Sequence, residues 1–420
     1  MTGVLAELTW RGLVHQTTSE DLGAVLDSGP MTLYIGFDPS GSSLHVGHLL
    51  PIFVMRRFQQ FGHRVIALVG GATGMIGDPS FKSEERNLLD LDTVRANAAA
   101  LEQQMRKLML PSPEPIFDNN INWLGQIGLL DFLRETGKHF SVNAMIAKDS
   151  VKSRLERDDQ GISFTEFSYS LLQARDFLEL NKRYGCLMQA GGSDQWGNIV
   201  PGIDLIRRAT GQKAYGLTVP LLADSEGRKF GKTEAGTSVW LDPKRTSPYQ
   251  FFQFWVNAPD ADVATLLKFF TFLPRTEIDA LIATVGSAER EAQNALAREI
   301  TTLIHGEAAT AQAIKASKAL FSGALADLSV AELEEIFPDV PSIEVDRSRL
   351  GQATLIDLLV ESGACPSKGD ARRQLQQNAI RVNGAAVTED APIQGDQFRE
   401  GKFLVIKRGK RNNYLARLTG

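Results

Sequence analysis

From Met31 to about Leu222, short apolar runs rich in β-formers alternate with longer stretches whose apolar positions recur at helical spacing. MTLYIGF leads into HLLPIFVMRRFQQFG and then RVIALVGG; further on, CLMQAGG leads into WGNIVPGIDLIRRATG and YGLTVPLL. This alternation predicts parallel strands joined by crossover helices. In such sheets ligands sit beyond the carboxyl ends of the strands, where loops lead into helices, and GFDPSGSSLHVGH occupies such a place. Beyond Thr246 the pattern is mostly helical as far as about Phe337, and the aromatic residues of SPYQFFQFWVNAPDADVATLLKFFTFL read as core. FPDVPSIEVDRSRLG, interrupted by Pro and Asp, reads as a linker. ATLIDLLVESG and SKGDARRQLQQN then read as two short helices, and IRVNG as a strand entering an Asn-Gly turn. The expected architecture is α/β: a Rossmann-like doubly wound parallel sheet over 1–222, a lysine-bearing loop and connection over 223–246, a helical domain over 247–336, a linker over 337–350 and a small α+β domain over 351–420.

Composition narrows the class. With 420 residues, 43% of them hydrophobic, the chain can fill several cores. The net charge of -5 hides an asymmetry, since Ser367–Gly420 carry 11 Lys/Arg against 5 Asp/Glu while the remainder carries 34 against 45. A basic tail on an acidic body suggests an anionic partner, with nucleic acid first; a solvated basic face is the competing reading. The two cysteines, Cys186 and Cys365, support neither a disulfide framework nor a four-cysteine metal site, and a reducing compartment fits them best. The N-terminal stretch MTGVLAELTWRGLVHQTT places Glu7 and Arg11 inside its apolar run and lacks a signal-peptide core, and no segment has the uninterrupted apolar length of a membrane span. Cytoplasm without membrane association is the expected setting.

Two segments carry candidate chemistry. In GFDPSGSSLHVGHLL, His45 and His48 stand where a Gly/Ser loop gives way to a helix-like run. Free backbone amides and the helix dipole make such a start an anion site, and two imidazoles there can donate to phosphate oxygens as negative charge builds at phosphorus. Zinc ligation is the rival reading, but zinc needs a third and usually a fourth protein ligand and neither cysteine is near in sequence; a capping or packing role for His48 is another. The second segment, DSEGRKFGKTEAG, is basic and turn-rich, with Lys229 and Lys232. It misses a Walker A loop by one residue, because Gly227 and Gly231 enclose three residues where four are required and Glu226 stands in the first glycine's place. As a closing loop its ammonium groups could neutralise a departing pyrophosphate; a solvated turn is the plainer alternative. GGATGMIGDPS does not match GxGxxG, and Gln195 in GGSDQWG rules out a nucleophile elbow.

Together these segments closely resemble the bacterial tyrosyl-tRNA synthetases, class I aminoacyl-tRNA synthetases. LHVGH is similar to the family's HIGH signature and KFGKT to its KMSKS signature. The resemblance continues through GGATGMIGDPS, DQGISFTEFSYSLLQARDF, GGSDQWGN and GLTVPLL, and the C-terminal unit is similar to a small RNA-binding module shared with a ribosomal protein. It implies a tyrosine-tRNA ligase: tyrosine attacks the α-phosphate of ATP to give tyrosyl-adenylate and pyrophosphate, and a terminal ribose hydroxyl of tyrosine tRNA then takes the tyrosyl group. It also implies a homodimer, and Mg2+ accompanying ATP without a protein cage; no protein-bound zinc is expected.

Residue by residue, the resemblance implies that Tyr34 and Asp176 hydrogen-bond the substrate phenol and that Asp78, Tyr169 and Gln173 hold its ammonium, with Gln189 as support. On a helix Tyr169, Gln173 and Asp176 share one face, which a merely solvated stripe would also do. Gly36, Asp38, Ser40, His45, His48, Gly192, Asp194, Gln195 and Lys232 are implied nucleotide contacts, Asp194 for the ribose. Lys229, Lys232 and Thr233 join His45 and His48 as the implied catalytic group. Family members often carry Thr and Ala where Ser40 and Gly41 stand, and frequently cysteine at Ile35; Ser40 keeps a hydroxyl, whereas Ile35 cannot donate to ribose. In the tail, Lys368, Arg372, Arg373, Lys407, Arg408, Lys410 and Arg411 are the expected tRNA contacts, made to phosphates. A tryptophanyl-tRNA synthetase and an RNA-binding protein on a synthetase scaffold are the alternatives.

Overall fold

The computed structural model describes residues 3–78, 90–148, 151–152, 155, 162–222, 230–231, 238–322, 328–336, 342–409 and 412–420. The chain divides into two compact units, Met1–Asp242 with Pro259–Ala292, and Pro243–Ala258 with Gln293–Gly420.

The sheet of the first unit runs in the order β1 (Gln16–Thr17), β6 (Tyr215–Val219), β5 (Cys186–Gly192), β2 (Thr32–Phe37), β3 (Arg64–Val69), β4 (Ile116–Asn119). The pairs from β6 to β4 are parallel, and β1 joins β6 antiparallel. Every residue of β3 after Arg64 is buried, as expected of a strand covered by helices on both faces. From β2 the chain winds outward through β3 to β4, then crosses to the other side of β2 and winds through β5 to β6. That reversal opens a crevice between the carboxyl ends of β2 and β5.

The crevice is framed by helices whose ends are specified locally. Helix Val46–Gln60 follows β2 and buries Leu49, Ile52, Phe53 and Phe58. Helix Phe164–Tyr184 is capped by Ser163, whose hydroxyl accepts the Glu166 N–H at 3.2 Å, and it stops at Gly185, where φ is +63°. The end of helix Asp260–Phe270 is held by two buried arginines: Arg11 donates to the Lys268 and Thr271 carbonyls at 2.9 and 3.0 Å, and Arg57 to those of Phe269 and Thr271 at 3.0 and 2.8 Å. Two guanidinium groups on the negative end of one helix satisfy carbonyls that the helix itself cannot.

In the second unit a sheet runs β7 (Ser342–Asp346), β11 (Asn412–Thr419), β10 (Phe403–Arg408), β8 (Ile380–Val382), β9 (Ala385–Val387). Alternation along β10 buries both faces. Leu404 and Ile406 pack with Leu358, Leu359, Ala371 and Leu375 from the two short helices, whereas Phe403 and Val405 pack with Ala316, Leu328, Val330 and Leu333. The segment expected as a linker therefore contains a strand, because Ile343 and Val345 alternate with polar residues in SIEVD and pair in parallel with β11. The expected helical stretch 247–336 is likewise shared, since Pro259–Ala292 groups with the first unit. Among the described residues no helix is long and apolar enough to cross a membrane.

Candidate active site

A cavity of about 320 Å3 fills the crevice between β2 and β5. At one end lie Tyr34, from β2, and Asp176, from helix Phe164–Tyr184. The Tyr34 hydroxyl is buried with no hydrogen-bond partner. Asp176, 2% exposed, accepts from Asn120 Nδ2 at 2.9 Å and from Trp123 Nε1 at 2.7 Å. Burial pushes its carboxyl up to about 8, against the pull of those two donors toward the ionised form. An orphan hydroxyl beside a fixed carboxyl is an incomplete hydrogen-bonded pair, and leaving such groups unsatisfied is costly. A phenolic hydroxyl would complete it. Gln189, on β5 beside Tyr34, adds a buried Oε1 with no partner.

Along the cavity the polar groups are linked. The Tyr169 hydroxyl donates to Asp38 Oδ2 at 3.3 Å, and Thr73 Oγ1 donates to Asp38 Oδ1 at 2.9 Å. Asn120 Nδ2 reaches both Thr73 Oγ1 at 2.9 Å and Asp176, while its Oδ1 accepts the Ala72 N–H at 2.7 Å. Gln195 Nε2 donates to Asp78 Oδ2 at 2.7 Å and its Oε1 accepts from Gln173 Nε2 at 3.3 Å. Burial, then Asp38, holds the Tyr169 phenol well above its ordinary range. The glycines of GGATG make this possible: a Cβ on Gly70 would lie 2.2 Å from Asp38 Oδ1, and one on Gly71 would lie 2.3 Å from Asn119 Oδ1.

The other end is the start of helix Val46–Gln60. His45 is its N-cap, accepting the Gly47 N–H on Nδ1 at 3.0 Å, and His48 Nδ1 accepts the His45 N–H at 3.1 Å. A ring that accepts on Nδ1 keeps its proton on Nε2, so both imidazoles are Nε2–H donors, with ring centroids 3.9 Å apart. Both rings are half-buried; His48 lines the cavity with Gly36, Ser40, Gly192 and Asp194, while the His45 ring lies against it at an interplanar angle of 40°. Lys229, Lys232 and Thr233 lie outside the described residues. Their neighbours are bonded to the histidine segment: Leu241 N donates to Leu44 O at 2.9 Å, Val46 N to Val239 O at 3.0 Å, and Val239 N to Gly231 O at 3.1 Å.

The residues that sequence reasoning missed are Thr73, Asn120 and Trp123. They hold Asp38 and Asp176 from the short helical turns Thr73–Ile76 and Ile121–Leu124 that follow β3 and β4, and β4 itself, IFDN, is too short and polar to register as a strand.

The comparisons with known proteins bear on the whole chain. Residues 26–322 match the family described as tRNA synthetases class I (W and Y), and residues 332–416 match the tyrosine-tRNA ligase SYY-like C-terminal domain. The tyrosine-tRNA ligase of Geobacillus stearothermophilus is 52% identical over 99% of both chains, and that of Roseiflexus castenholzii is 50% identical over the full length of both. The chain belongs to the bacterial tyrosine-tRNA ligase family. Among solved structures, a C-terminally truncated mitochondrial tyrosyl-tRNA synthetase of Aspergillus nidulans superposes with a TM-score of 0.69 at 33% identity, covering 76% of this chain and 95% of that one.

For a tyrosine-tRNA ligase the basic tail is the second surface of interest. Lys368 and Arg372 are exposed on the helix Lys368–Gln376; Lys368 pairs with Asp357 at 2.8 Å. Arg373 and Arg408 both pair with the buried Asp370, Arg408 at 3.4 Å. Lys407 lies directly across from Arg381, a cation the sequence reading did not single out. Lys410 and Arg411 are outside the described residues. A larger cavity, about 600 Å3, adjoins the first through their shared Asp194 and carries Lys148, Trp196 and Arg208. Lys148 Nζ is buried without a hydrogen-bond partner, and burial lowers it to about 8. The 320 Å3 cavity is the chemical centre, because the Tyr34 hydroxyl, the Asp176 carboxyl and the His48 imidazole converge there.

Proposed function

We propose that this chain ligates tyrosine to its tRNA in two steps, forming tyrosyl-adenylate and pyrophosphate from tyrosine and ATP and then passing the tyrosyl group to the terminal ribose of the tRNA. One observation carries the assignment of roles: a buried hydroxyl and carboxyl, Tyr34 and Asp176, close one end of the same cavity whose other end is a histidine-capped helix start. The phenol sits between Tyr34 and Asp176. Phenylalanine would leave both unpaired, and the handling of tyrosine against phenylalanine by this enzyme family is a known illustration of that penalty. Asp78, Tyr169 and Gln173 take the ammonium, with Gln189 in support. The substrate carboxylate then faces the helix start, where Gly36, Asp38, Ser40, Gly192, Asp194 and Gln195 hold the nucleotide. As the carboxylate oxygen attacks the α-phosphorus and the bond to pyrophosphate breaks, His48 and His45 donate from Nε2 to the growing negative charge. Lys229 and Lys232, next in the chain to the tethered Phe230 and Gly231, neutralise the pyrophosphate, and the Thr233 hydroxyl donates to it.

Mg2+ arrives on the ATP phosphates and supplies further charge neutralisation there; among the described residues no group of three or more His, Cys, Asp or Glu could hold a metal by itself. The tRNA is held through its phosphates by Lys368, Arg372, Arg373, Lys407, Arg408, Lys410 and Arg411, and its 3′ end reaches the adenylate by way of the larger cavity. The protein works in the cytoplasm as a homodimer. Leu129, Leu130 and Phe164, which are 72%, 74% and 79% exposed, are candidate contacts for such a dimer. The test is exchange of labelled pyrophosphate into ATP with tyrosine, tryptophan and phenylalanine in turn. Exchange with tyrosine alone is expected; exchange with tryptophan alone would give the substrate to the sister enzyme, and none with any amino acid would favour an RNA-binding protein.

A further inference from the structure

The loop between β2 and the histidine helix is gripped by a helix to which no role has been given. Helix Leu91–Leu108 places Asn97 and Gln104 seven residues apart, two turns along one face. Asn97, buried, donates from Nδ2 to the Pro39 carbonyl at 3.1 Å. Gln104 accepts the Leu44 N–H on Oε1 at 2.8 Å and donates from Nε2 to Ser43 Oγ at 3.1 Å. Ser43 Oγ in turn donates to the Leu44 carbonyl at 2.9 Å, the same carbonyl that accepts from Leu241. We infer that Asn97 and Gln104 are positioning residues which clasp the loop from Pro39 to Leu44 at both ends, and so set ATP binding and the phosphoryl step without touching ATP.

The physical case rests on where the bonds fall. A loop of small residues, PSGSS, has high conformational freedom, and fixing its two ends removes most of it before ATP arrives. Between the clasped ends stand Ser40 and Gly41; immediately after the second comes His45, the N-cap whose geometry orients both imidazoles. Displacement of a catalytic group by a fraction of an ångström is enough to slow a reaction that depends on alignment. Leu44 is also the point where the segment after the lysine loop is bonded, so Gln104 braces the junction of both signature segments. The clasp makes no bond to Tyr34 or Asp176, and although Asp38 beside Pro39 is linked to Tyr169 and Thr73, the bonds lost in the clasp variants lie on the ATP side, so the larger effect is expected on ATP.

The inference rests on the ligase reading and is tested with variants that keep bulk while removing hydrogen bonds. Gln104→Met and Asn97→Leu are each expected to raise KM for ATP in the exchange assay about tenfold, with Kd for tyrosine held within about twofold. Gln104→Glu keeps an acceptor for the Leu44 N–H and is expected to recover most of the loss. Gln59 provides the control: it is more buried than Gln104, and its amide brackets Leu110 at 3.0 and 2.9 Å and Pro113 at 2.8 Å, away from the loop. Gln59→Met should lower the melting temperature and leave KM for ATP unchanged. Unchanged KM for ATP in both loop variants, or an equal rise in Gln59→Met, overturns the clasp. Were the unmodified enzyme to show no exchange, the ligase reading would fall, and ATP binding by equilibrium dialysis would decide the clasp by the same comparison. Two variants at opposite ends of the loop keep the test open if one fails to fold.

Discussion

The two ends of the 320 Å3 cavity are built on opposite plans. At the phenol end the groups are buried and the carboxyl is held by a network, Asp176 by Asn120 and Trp123, and Asn120 by Ala72 and Thr73, while the Tyr34 hydroxyl and Gln189 Oε1 are left without a partner. At the phosphate end the imidazoles are half-buried at a helix start, each accepting a nearby backbone N–H on Nδ1, and the helix start is joined to a segment that continues into the lysine loop. Burial and saturation make a group selective, because a wrong ligand strands it. Access and a ready N–H make a group useful in a transition state that exists only while ATP is present. On the proposed assignment of roles, discrimination lies at one end and charge stabilisation at the other, and the two should come apart under mutation.

The largest break is expected from Asp176→Ala, which removes the acceptor for the phenol and strands the Asn120 and Trp123 donors. Its kcat/KM for tyrosine in pyrophosphate exchange should fall about a thousandfold or more, while KM for ATP stays near its starting value. Next is His48→Ala, for which adenylate formation should slow about a hundredfold in single turnovers with tyrosine affinity intact.

A smaller effect sharpens the contrast in burial. The folded Asp176 carboxyl titrates at about 8 against 3.8 when unfolded, so the folded state binds the extra proton between those values. Stability contributed by the protonated form is complete below about pH 4 and is lost as pH rises through 8. Relative to Asp176→Asn, the unmodified protein should therefore lose stability from pH 4 to 8, by about 1–2 kcal/mol after discounting for relaxation, and run parallel to it above pH 8. Chemical denaturation across that range measures the slope; a flat difference would mean the carboxyl is ionised throughout.

The smallest change lies outside the cavity. Replacing exposed Lys368 and Arg372 with Gln should leave exchange untouched, weaken tRNA charging a few-fold, and lower the salt dependence of tRNA affinity by about one or two charges. Point substitutions are preferable to removing residues 351–420, since that deletion would uncover Leu328, Val330 and Leu333 and leave β7 without β11.

How much of this was legible in the sequence follows from distance along the chain. The histidine pair and the Tyr169, Gln173, Asp176 face are spacings within one helix, and periodicity alone brings them together. A doubly wound parallel sheet was expected from strand-helix alternation, but the place of its reversal, between β2 and β5, is visible only in the strand order. Asn120 and Trp123 reach Asp176 from more than fifty residues away, and no local pattern encodes a bond made across three loops. The glycines at 70 and 71 failed every familiar motif because their purpose is steric, to admit Asp38 and Asn119. Strand β7 was hidden behind prolines, and its alternation has meaning only beside β11.

The central claim is that recognition and chemistry occupy separate ends of one cavity. It is tested most directly by single-turnover adenylate formation over a grid of tyrosine and ATP concentrations in Tyr34→Phe and His48→Ala. Tyr34→Phe should weaken tyrosine binding about three- to tenfold with the rate at saturation unchanged, and His48→Ala should do the reverse. Both variants losing affinity and rate together would contradict the account.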